Sequence, residues 1–300
     1  MSRHSKNSDK GFKRVITILL LIILIFATIL FIKIKITEHI ENEMQREVSQ
    51  VLNTIDVDYT ESDEPSNTTS SPIITERMLK VAELQKENAD IVGWIEIEGT
   101  NISYPVLQGD NNDYYLKHNY KHEYISTGSI FLDKDYDFNK PSSNLLIYGH
   151  RNKVGLMFDE LVKYKDENFY KEHKIIKFTT EKEDSEYEIM SAFKSRVYYK
   201  DETNVFRYYY FVDAKDGLDY AEYVKNVKDA SLYETEVTAI YGDQLMTLST
   251  CDYEVKNGRF VVVAKKIKWN KFTISSGLFL LWLETQVKWR YNISILKNKE

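Results

Sequence analysis

The sequence predicts a mainly β protein, an antiparallel sheet or barrel with helical insertions, behind one N-terminal transmembrane helix. From residue 91 onward, short runs rich in β-branched and aromatic residues recur between turn residues. Helical stretches are few and do not alternate with strands at βαβ spacing, which argues against a doubly wound sheet. Composition is that of a folded chain, because 43% of residues are apolar and only 11 are Gly and 4 Pro.

The transmembrane helix is predicted at residues 15–32, which carry no charge and only two polar side chains, Thr17 and Thr28. As a helix this run would span ~27 Å, close to the hydrocarbon thickness of a bilayer. A cleaved signal peptide would have a shorter apolar region ending in small residues. Phe31 and Ile32 end this run instead, which favours an uncleaved anchor.

Charge predicts the orientation of that helix. Residues 1–14 contain five basic residues, whereas Lys33 and Lys35 on the other side are soon followed by acids. The stronger positive cluster should stay in the cytoplasm, so that the rest of the chain lies outside the cell membrane. Residues 36–264 have a net charge of −18 between two ends of +6 each. This acidic middle argues against binding of nucleic acid.

The domain organisation follows from these segments. Residues 1–14 form a cytoplasmic tail, and residues 33–72 form a stalk with an amphipathic helix at 37–55 and an acidic spacer at 56–72. Residues 73–268 form the globular domain, and the basic residues 269–300 have no assigned role.

Each element of the globular domain is predicted from its local pattern. Strands are expected at residues 91–97, 102–107, 128–132, 145–148, 175–180, 187–199, 205–211, 245–250 and 260–267. Helices are expected at residues 76–87, 111–117, 156–164 and 218–228.

Two residues at predicted strand ends are candidates for chemistry. Cys251 is the single cysteine, which excludes an intramolecular disulfide, and it ends the apolar run MTLSTC. Such a cysteine is either an inert buried thiol or a nucleophile at the rim of the sheet. His150 ends the run LLIYGH. A histidine at one strand end is usually a surface residue, but beside a cysteine it becomes a partner for thiol chemistry.

Arg259 is the third candidate, at the start of the strand RFVVVAKKI. If the strands at 245–250 and 260–267 pair as a hairpin, Arg259 lies near Cys251. A guanidinium there would stabilise a thiolate or an oxyanion, whereas elsewhere it would be an ordinary solvated arginine.

The sequence motifs predict no metal or cofactor. His122 and Glu123 begin an H-E-x-x-H pattern that fails at Ser126. The acidic run from Asp133 resembles a calcium loop, but Phe138 stands where that loop needs glycine.

Several motifs, taken together, resemble the sortases, and those of class B in particular. They are TLSTC (247–251), NGR (257–259), IYGHR (147–151), MFDEL (157–161), ISYPVLQGDNNDYYLKHNY (102–120) and GSIFLD (128–133). The resemblance covers residues 76–268 in the family's order. Class B chains usually stop soon after the last strand, so residues 269–300 depart from the pattern.

The resemblance implies an eight-stranded sortase β-barrel with N-terminal helices, in which the 218–228 helix is the class B insertion before the last two strands. Cys251 would be the nucleophile that forms a thioester acyl-enzyme. His150 would be the general acid and then the base, and Arg259 would orient the substrate carbonyl and stabilise the oxyanion. Ser249 and Thr250 would line the substrate groove. No cofactor is implied.

The implied activity is cleavage of a C-terminal sorting signal of secreted proteins, with transfer to an amine of peptidoglycan or its lipid-linked precursor. The enzyme would be a single-pass membrane protein on the extracellular face of a Gram-positive-type envelope. Two alternatives are a thiol endopeptidase that only hydrolyses, and a non-catalytic surface adhesin.

Overall fold

The computed structural model describes residues 5–54, 75–152 and 155–267, and within them it contains four α-helices and eight β-strands. The α-helices are α1 (Ser5–Thr54), α2 (Glu76–Glu87), α3 (Glu167–Glu172) and α4 (Gly217–Ala230). The strands are β1 (Ile91–Glu96), β2 (Ser103–Leu107), β3 (Ile130–Leu132), β4 (Asn144–Tyr148), β5 (Ile175–Thr179), β6 (Asp184–Arg196), β7 (Leu245–Cys251) and β8 (Gly258–Lys266). The predicted acidic spacer at 56–72 and the basic tail at 269–300 lie outside the described residues.

The eight strands form a closed barrel in the order β1-β2-β3-β4-β7-β8-β6-β5. Neighbouring strands are antiparallel except in two pairs, β2 with β3 and β4 with β7, which are parallel. Closure leaves no unpaired strand edge in the barrel. The predicted mainly β fold and its eight-stranded barrel are confirmed.

Side-chain alternation along the strands separates the inside of the barrel from its outer face. All eight strands contribute alternate residues to one buried cluster, exemplified by Leu145 and Ile147 in β4 and by Met246 and Leu248 in β7. Residues of opposite parity in β4, β6, β7 and β8 pack instead against α4. Both faces of β7 are therefore covered, which explains why its sequence, LMTLSTC, contains no charged residue.

Helix α4 begins and packs as its sequence indicates. Asp216 is its N-cap, accepting hydrogen bonds from the backbone N–H groups of Leu218 and Asp219. Its inner face reaches β7, where the hydroxyls of Tyr223 and Thr247 are 2.9 Å apart. The predicted helical insertion before the last two strands is confirmed, and it supports the strand that ends at Cys251.

Helix α1 is longer than the sequence pattern predicts, since the predicted anchor and the separate stalk helix are one continuous helix of 50 residues. Its segment Arg14–Ile40 is long and apolar enough to cross a membrane, with a mean hydropathy of 3.4 in its most apolar part. The apolar side chains of that part are exposed.

The strand predicted at residues 205–211 is wrong. This segment contains a 3-10 helix, Tyr208–Tyr210, and pairs with no strand among the described residues. Its aromatic residues instead pack against α4 and β6, with Phe211 stacked on Tyr223 at 3.9 Å between ring centres. Aromatic alternation here therefore reflects burial under a helix and not strand pairing.

The predicted helices at 111–117 and 156–164 are 3-10 helices, Tyr114–Leu116 and Asp159–Lys165. The short helix α3 was not predicted from the sequence.

Candidate active site

The β7–β8 hairpin brings Cys251 and Arg259 together, because they are direct partners in the antiparallel pairing. The turn between them is tight: Asn257 has a left-handed φ of 58°. At Gly258 an added Cβ would lie only 2.2 Å from the carbonyl oxygen of Asp252. The predicted hairpin is therefore present, and its turn depends on a glycine immediately before Arg259.

The parallel pairing of β4 with β7 brings His150 to the same place. Tyr148 pairs with Ser249, and the N–H of Gly149 donates to the carbonyl of Ser249 at 3.1 Å. His150 and Cys251 each lie two residues beyond this pair, at the same end of two adjacent strands. The main chain of His150 is held in turn, since its carbonyl accepts from the N–H of Phe158 at 3.0 Å.

Alternation then decides which candidate side chains share a face. Residues of even number in β7 and β8 and of odd number in β4 enter the barrel interior. Cys251, Ser249, Arg259 and His150 have the opposite parity, so that they belong to the outer face. Thr250 falls on the inner face, where its hydroxyl is buried with no hydrogen-bond partner among the described residues.

A groove of about 240 Å³ collects all five candidate residues. Its lining residues are Asn112, Leu116, Phe131, Tyr148, Gly149, His150, Val197, Tyr208, Tyr209, Ser249, Thr250, Cys251 and Arg259. Cys251 is a free, partly exposed cysteine that lines this groove.

The imidazole of His150 has a backbone partner. Its Nε2 atom is 2.8 Å from the carbonyl oxygen of Leu116, which belongs to the 3-10 turn preceding β3. Arg259 is less constrained, because the hydrogen bonds of its guanidinium are to the nearby carbonyls of Asn257 and Gly258. These carbonyls hold one side of the guanidinium within the hairpin turn.

Ion pairs join the residues that follow His150 and Cys251, and sequence reasoning missed them. Arg151 binds Oδ1 of Asp252 at 3.3 Å, and Lys165 binds Oδ2 at 2.8 Å. Asp252 is only 3% exposed, so both cations compensate a buried carboxylate. Lys165 and Lys194 also bind Glu254, and their hydrogen bonds lower the pKa of Glu254 to about 2.

Two tyrosines give the groove a neutral polar wall. The Tyr208 hydroxyl is 2.7 Å from Ser249 Oγ, and the Tyr148 hydroxyl donates to Asp133 at 3.0 Å. Burial raises the pKa of both phenols well above the ordinary value, so both stay protonated. Sequence reasoning missed Tyr208 because it lies in the segment mistaken for a strand.

Among the described residues, no group of three or more His, Cys, Asp and Glu side chains is placed to hold a metal ion. Asp133 accepts hydrogen bonds from Asn112 and Tyr148, which compensate its burial. His118 and His122 both bond to Tyr114, through its carbonyl and its hydroxyl respectively.

In this closed eight-stranded barrel a free thiol and an imidazole lie at adjacent strand ends, which is the combination of side chains that thiol-based acyl transfer uses. Comparison with known proteins identifies the family. The sortase domain model matches residues 95–267, more than half of the chain. The chain therefore belongs to the sortase family, and its 37% identity to two sortase B proteins makes it a cysteine transpeptidase of the sortase B type.

Individual relatives agree with this assignment. Sortase B of Listeria monocytogenes is 37% identical over 190 residues, covering 63% of this chain and 74% of that protein. Sortase B of Staphylococcus aureus is 37% identical over 187 residues, covering 62% and 73%. The structure of a Staphylococcus aureus sortase B–substrate complex superimposes with a TM-score of 0.62 at 30% identity, covering 77% of this chain and 99% of that one.

Proposed function

We propose that this chain is a membrane-anchored transpeptidase that cleaves a sorting signal near the C-terminus of secreted proteins and joins them to an amine of the cell wall. The observation that supports it is the meeting of Cys251, His150 and Arg259 in one groove, at strand ends whose pairings fix their positions. The acceptor would be an amine of peptidoglycan or of its lipid-linked precursor.

Acylation begins when the Cys251 thiolate, whose proton has passed to His150, attacks the carbonyl carbon of the scissile amide. The oxyanion that forms is stabilised by the Arg259 guanidinium. His150 donates a proton to the leaving nitrogen as the C–N bond breaks, which leaves a thioester and a free amine. Arg259 is suited to this role because it shares the outer face with Cys251 and is its direct strand partner.

The second half transfers the acyl group. The acceptor amine attacks the thioester carbonyl while His150 accepts one of its protons, and the Cys251 sulfur leaves as a new amide forms. Because a thioester retains acyl reactivity, the transfer needs no ATP. Water in place of the amine would give hydrolysis by the same steps, so only products distinguish the two activities.

Ser249 and Thr250 are proposed to meet the substrate in different ways. Ser249 shares the outer face with Cys251, and its hydroxyl is positioned by Tyr208. Thr250 has the opposite parity, so it would offer its main chain to the groove. The buried hydroxyl of Thr250 then acts on packing and not on recognition.

The anchor is proposed to be the apolar part of α1, within Arg14–Ile40. The five basic residues before residue 15 would hold the N-terminus in the cytoplasm. The barrel would then face the outside, where exported proteins and wall precursors meet. Replacing Ile23 and Leu24 by lysine tests this anchor: the chain should move from the membrane fraction to the soluble one, and unchanged membrane association would contradict it.

The activity is tested with the full chain in lipid vesicles, a library of peptides that carry candidate sorting signals, and triglycine as the amine. Mass spectrometry should show a peptide–triglycine product and an acylated enzyme, both absent for Cys251→Ala. Cleavage that survives Cys251→Ala would refute the thiol mechanism. Hydrolysis that triglycine leaves unchanged would instead support the endopeptidase alternative.

A further inference from the structure

The hydrogen bond between His150 and Leu116 determines which imidazole nitrogen carries the proton. A carbonyl oxygen can only accept, so Nε2 of His150, at 2.8 Å from it, must be the donor. In the neutral ring the other nitrogen, Nδ1, is then the unprotonated one. The backbone of one turn thus selects a tautomer of a side chain 34 residues away.

The 3-10 turn that carries the Leu116 carbonyl packs closely against Gly128. Gly128 has a left-handed φ of 58°, and a Cβ added there would lie 2.5 Å from the carbonyl oxygen of Leu116 and 2.4 Å from that of Tyr115. Contacts below 3.0 Å to backbone atoms cannot be relieved by a side-chain rotation. Any larger residue at 128 therefore requires a backbone shift at this contact, and the carbonyl that accepts from His150 is one of the two nearest groups.

Other bonds keep the turn against Gly128. Ser129 donates its N–H to the carbonyl of Tyr115 and its hydroxyl to that of His118, both at 2.8 Å. The Tyr115 ring is buried and its hydroxyl donates to Asp90 at 2.6 Å. These bonds hold the residues on either side of Leu116, so that its carbonyl stays packed against Gly128.

We propose that Gly128 is a positioning residue for His150. By leaving room for the Leu116 carbonyl it keeps His150 in the Nε2–H tautomer, so that Nδ1 is the nitrogen that exchanges protons. In the reaction, which rests on the proposed function, the imidazolium gives its Nδ1 proton to the leaving amine. It later takes one from the acceptor amine at the same atom, while the Nε2–H bond to Leu116 persists.

Gly242 provides a matched control for Gly128→Ala. It also has a left-handed φ, of 95°, but an added Cβ would meet no atom within 4 Å. Gly242→Ala therefore carries the backbone strain of a left-handed alanine without displacing any carbonyl. The difference between the two variants isolates the contact with Leu116.

The tautomer is read directly by long-range ¹H–¹⁵N spectra of the full chain in detergent micelles, labelled at its six histidines. His150→Gln assigns the signals of His150. At a pH where the His150 ring is neutral, we expect the wild type and Gly242→Ala to show a protonated Nε2 and an unprotonated Nδ1, and Gly128→Ala to show mixed tautomers. A neutral wild-type ring that carries its proton on Nδ1, or an unchanged tautomer in folded Gly128→Ala, would overturn the proposal.

If Gly128→Ala does not fold, Ser129→Ala loosens the same turn more gently by removing the hydroxyl bond to His118, and it should shift the tautomer partly. An unshifted tautomer in Ser129→Ala would then refute the proposal. Transfer to triglycine should fall by about 10²-fold in Gly128→Ala and stay within about twofold in Gly242→Ala. Because the spectra need no substrate, a failure of the proposed function leaves the tautomer result interpretable.

Discussion

The groove is built from two sides that are held in different ways. On one side Cys251 and Arg259 are partners in a continuous antiparallel ladder between β7 and β8. On the other side, His150 lies just beyond the last residue of β4, and its ring is held by the carbonyl of Leu116. The residue after it, Arg151, is held by Asp252.

The two sides should therefore respond differently to substitution. The ladder fixes Cys251 and Arg259 through backbone bonds, which side-chain substitutions leave in place. The His150 side depends on contacts with partners 34 and 101 residues away. One substitution at Asp252 removes the second contact, and one at Gly128 would crowd the carbonyl that makes the first. We therefore expect substitution of Arg259 in the ladder to affect the reaction. Substitutions in the contacts of His150 and Arg151, including Asp252 in the hairpin turn, should affect stability and activity together.

The largest effect is expected for Arg259→Ala, which tests the ladder side. Loss of an oxyanion-stabilising group should lower kcat/KM by about 10²–10³-fold. The melting temperature should hardly change, since the guanidinium bonds to carbonyls of the adjacent turn. Arg259→Lys keeps the charge but not the planar donor fork, so its loss should be intermediate. Activity of Arg259→Ala within a few-fold of the wild type would remove Arg259 from the mechanism.

The next effect is on the His150 side, where Asp252→Asn removes a buried charge with little change in shape. Arg151 and Lys165 would then lose their shared partner. Because both cations are about one-quarter exposed, we expect a loss of about 2 kcal/mol, below the range for fully buried pairs. Urea unfolding measures it.

Arg151→Ala provides a comparison, since it leaves Lys165 to pair with Asp252 but removes the partly exposed pair between Arg151 and Asp159 as well. Arg151→Ala should lose less stability than Asp252→Asn. Both variants should lose activity to a similar extent, because each removes the ion pair of the residue that directly follows His150. Equal stability of Asp252→Asn and the wild type would show that the ion pairs do not hold this side.

The same contrast explains what sequence reasoning could find. The barrel strands and the pairing of Cys251 with Arg259 could be predicted, because strands and a hairpin are marked in the sequence by apolar runs and turn residues. Residues 205–211 carry a similar aromatic pattern for another reason, burial under α4. The Arg151–Asp252 pair joins common surface residue types far apart in the chain. The Leu116 carbonyl belongs to the backbone, so only the neighbouring Gly128 could mark it.

A smaller effect is expected for Tyr208→Phe, because Tyr208 lies outside the ladder and contacts it through Ser249 in β7. Removing the hydroxyl leaves Ser249 Oγ without its buried partner, at a cost of about 1 kcal/mol. The barrel pairing should survive, so activity should fall mainly through a higher KM. In a double-mutant cycle with Ser249→Ala, a coupling energy near zero would contradict the bond.

The smallest effect distinguishes Lys194 from Lys165, which both bind Glu254 at 2.6 Å. Only Lys165 also reaches the buried Asp252, so Lys165→Ala should lower the urea midpoint clearly more than Lys194→Ala, which removes only an exposed pair. The contribution of the shared partner Glu254 to stability depends on pH. Because its pKa is lowered to about 2, Glu254 stabilises the fold above its unfolded pKa of ~4.3. That contribution disappears as pH falls towards 2.

If Glu254 stabilised the fold as much as Asp252 does, Lys194→Ala would lower the free energy of unfolding as strongly as Lys165→Ala. The hairpin turn would then be held by exposed ion pairs. The structure predicts the opposite, because water and salt screen the pair between Lys194 and Glu254, whose side chains are both about half exposed. Raising the salt concentration should therefore leave the effect of Lys165→Ala largely intact.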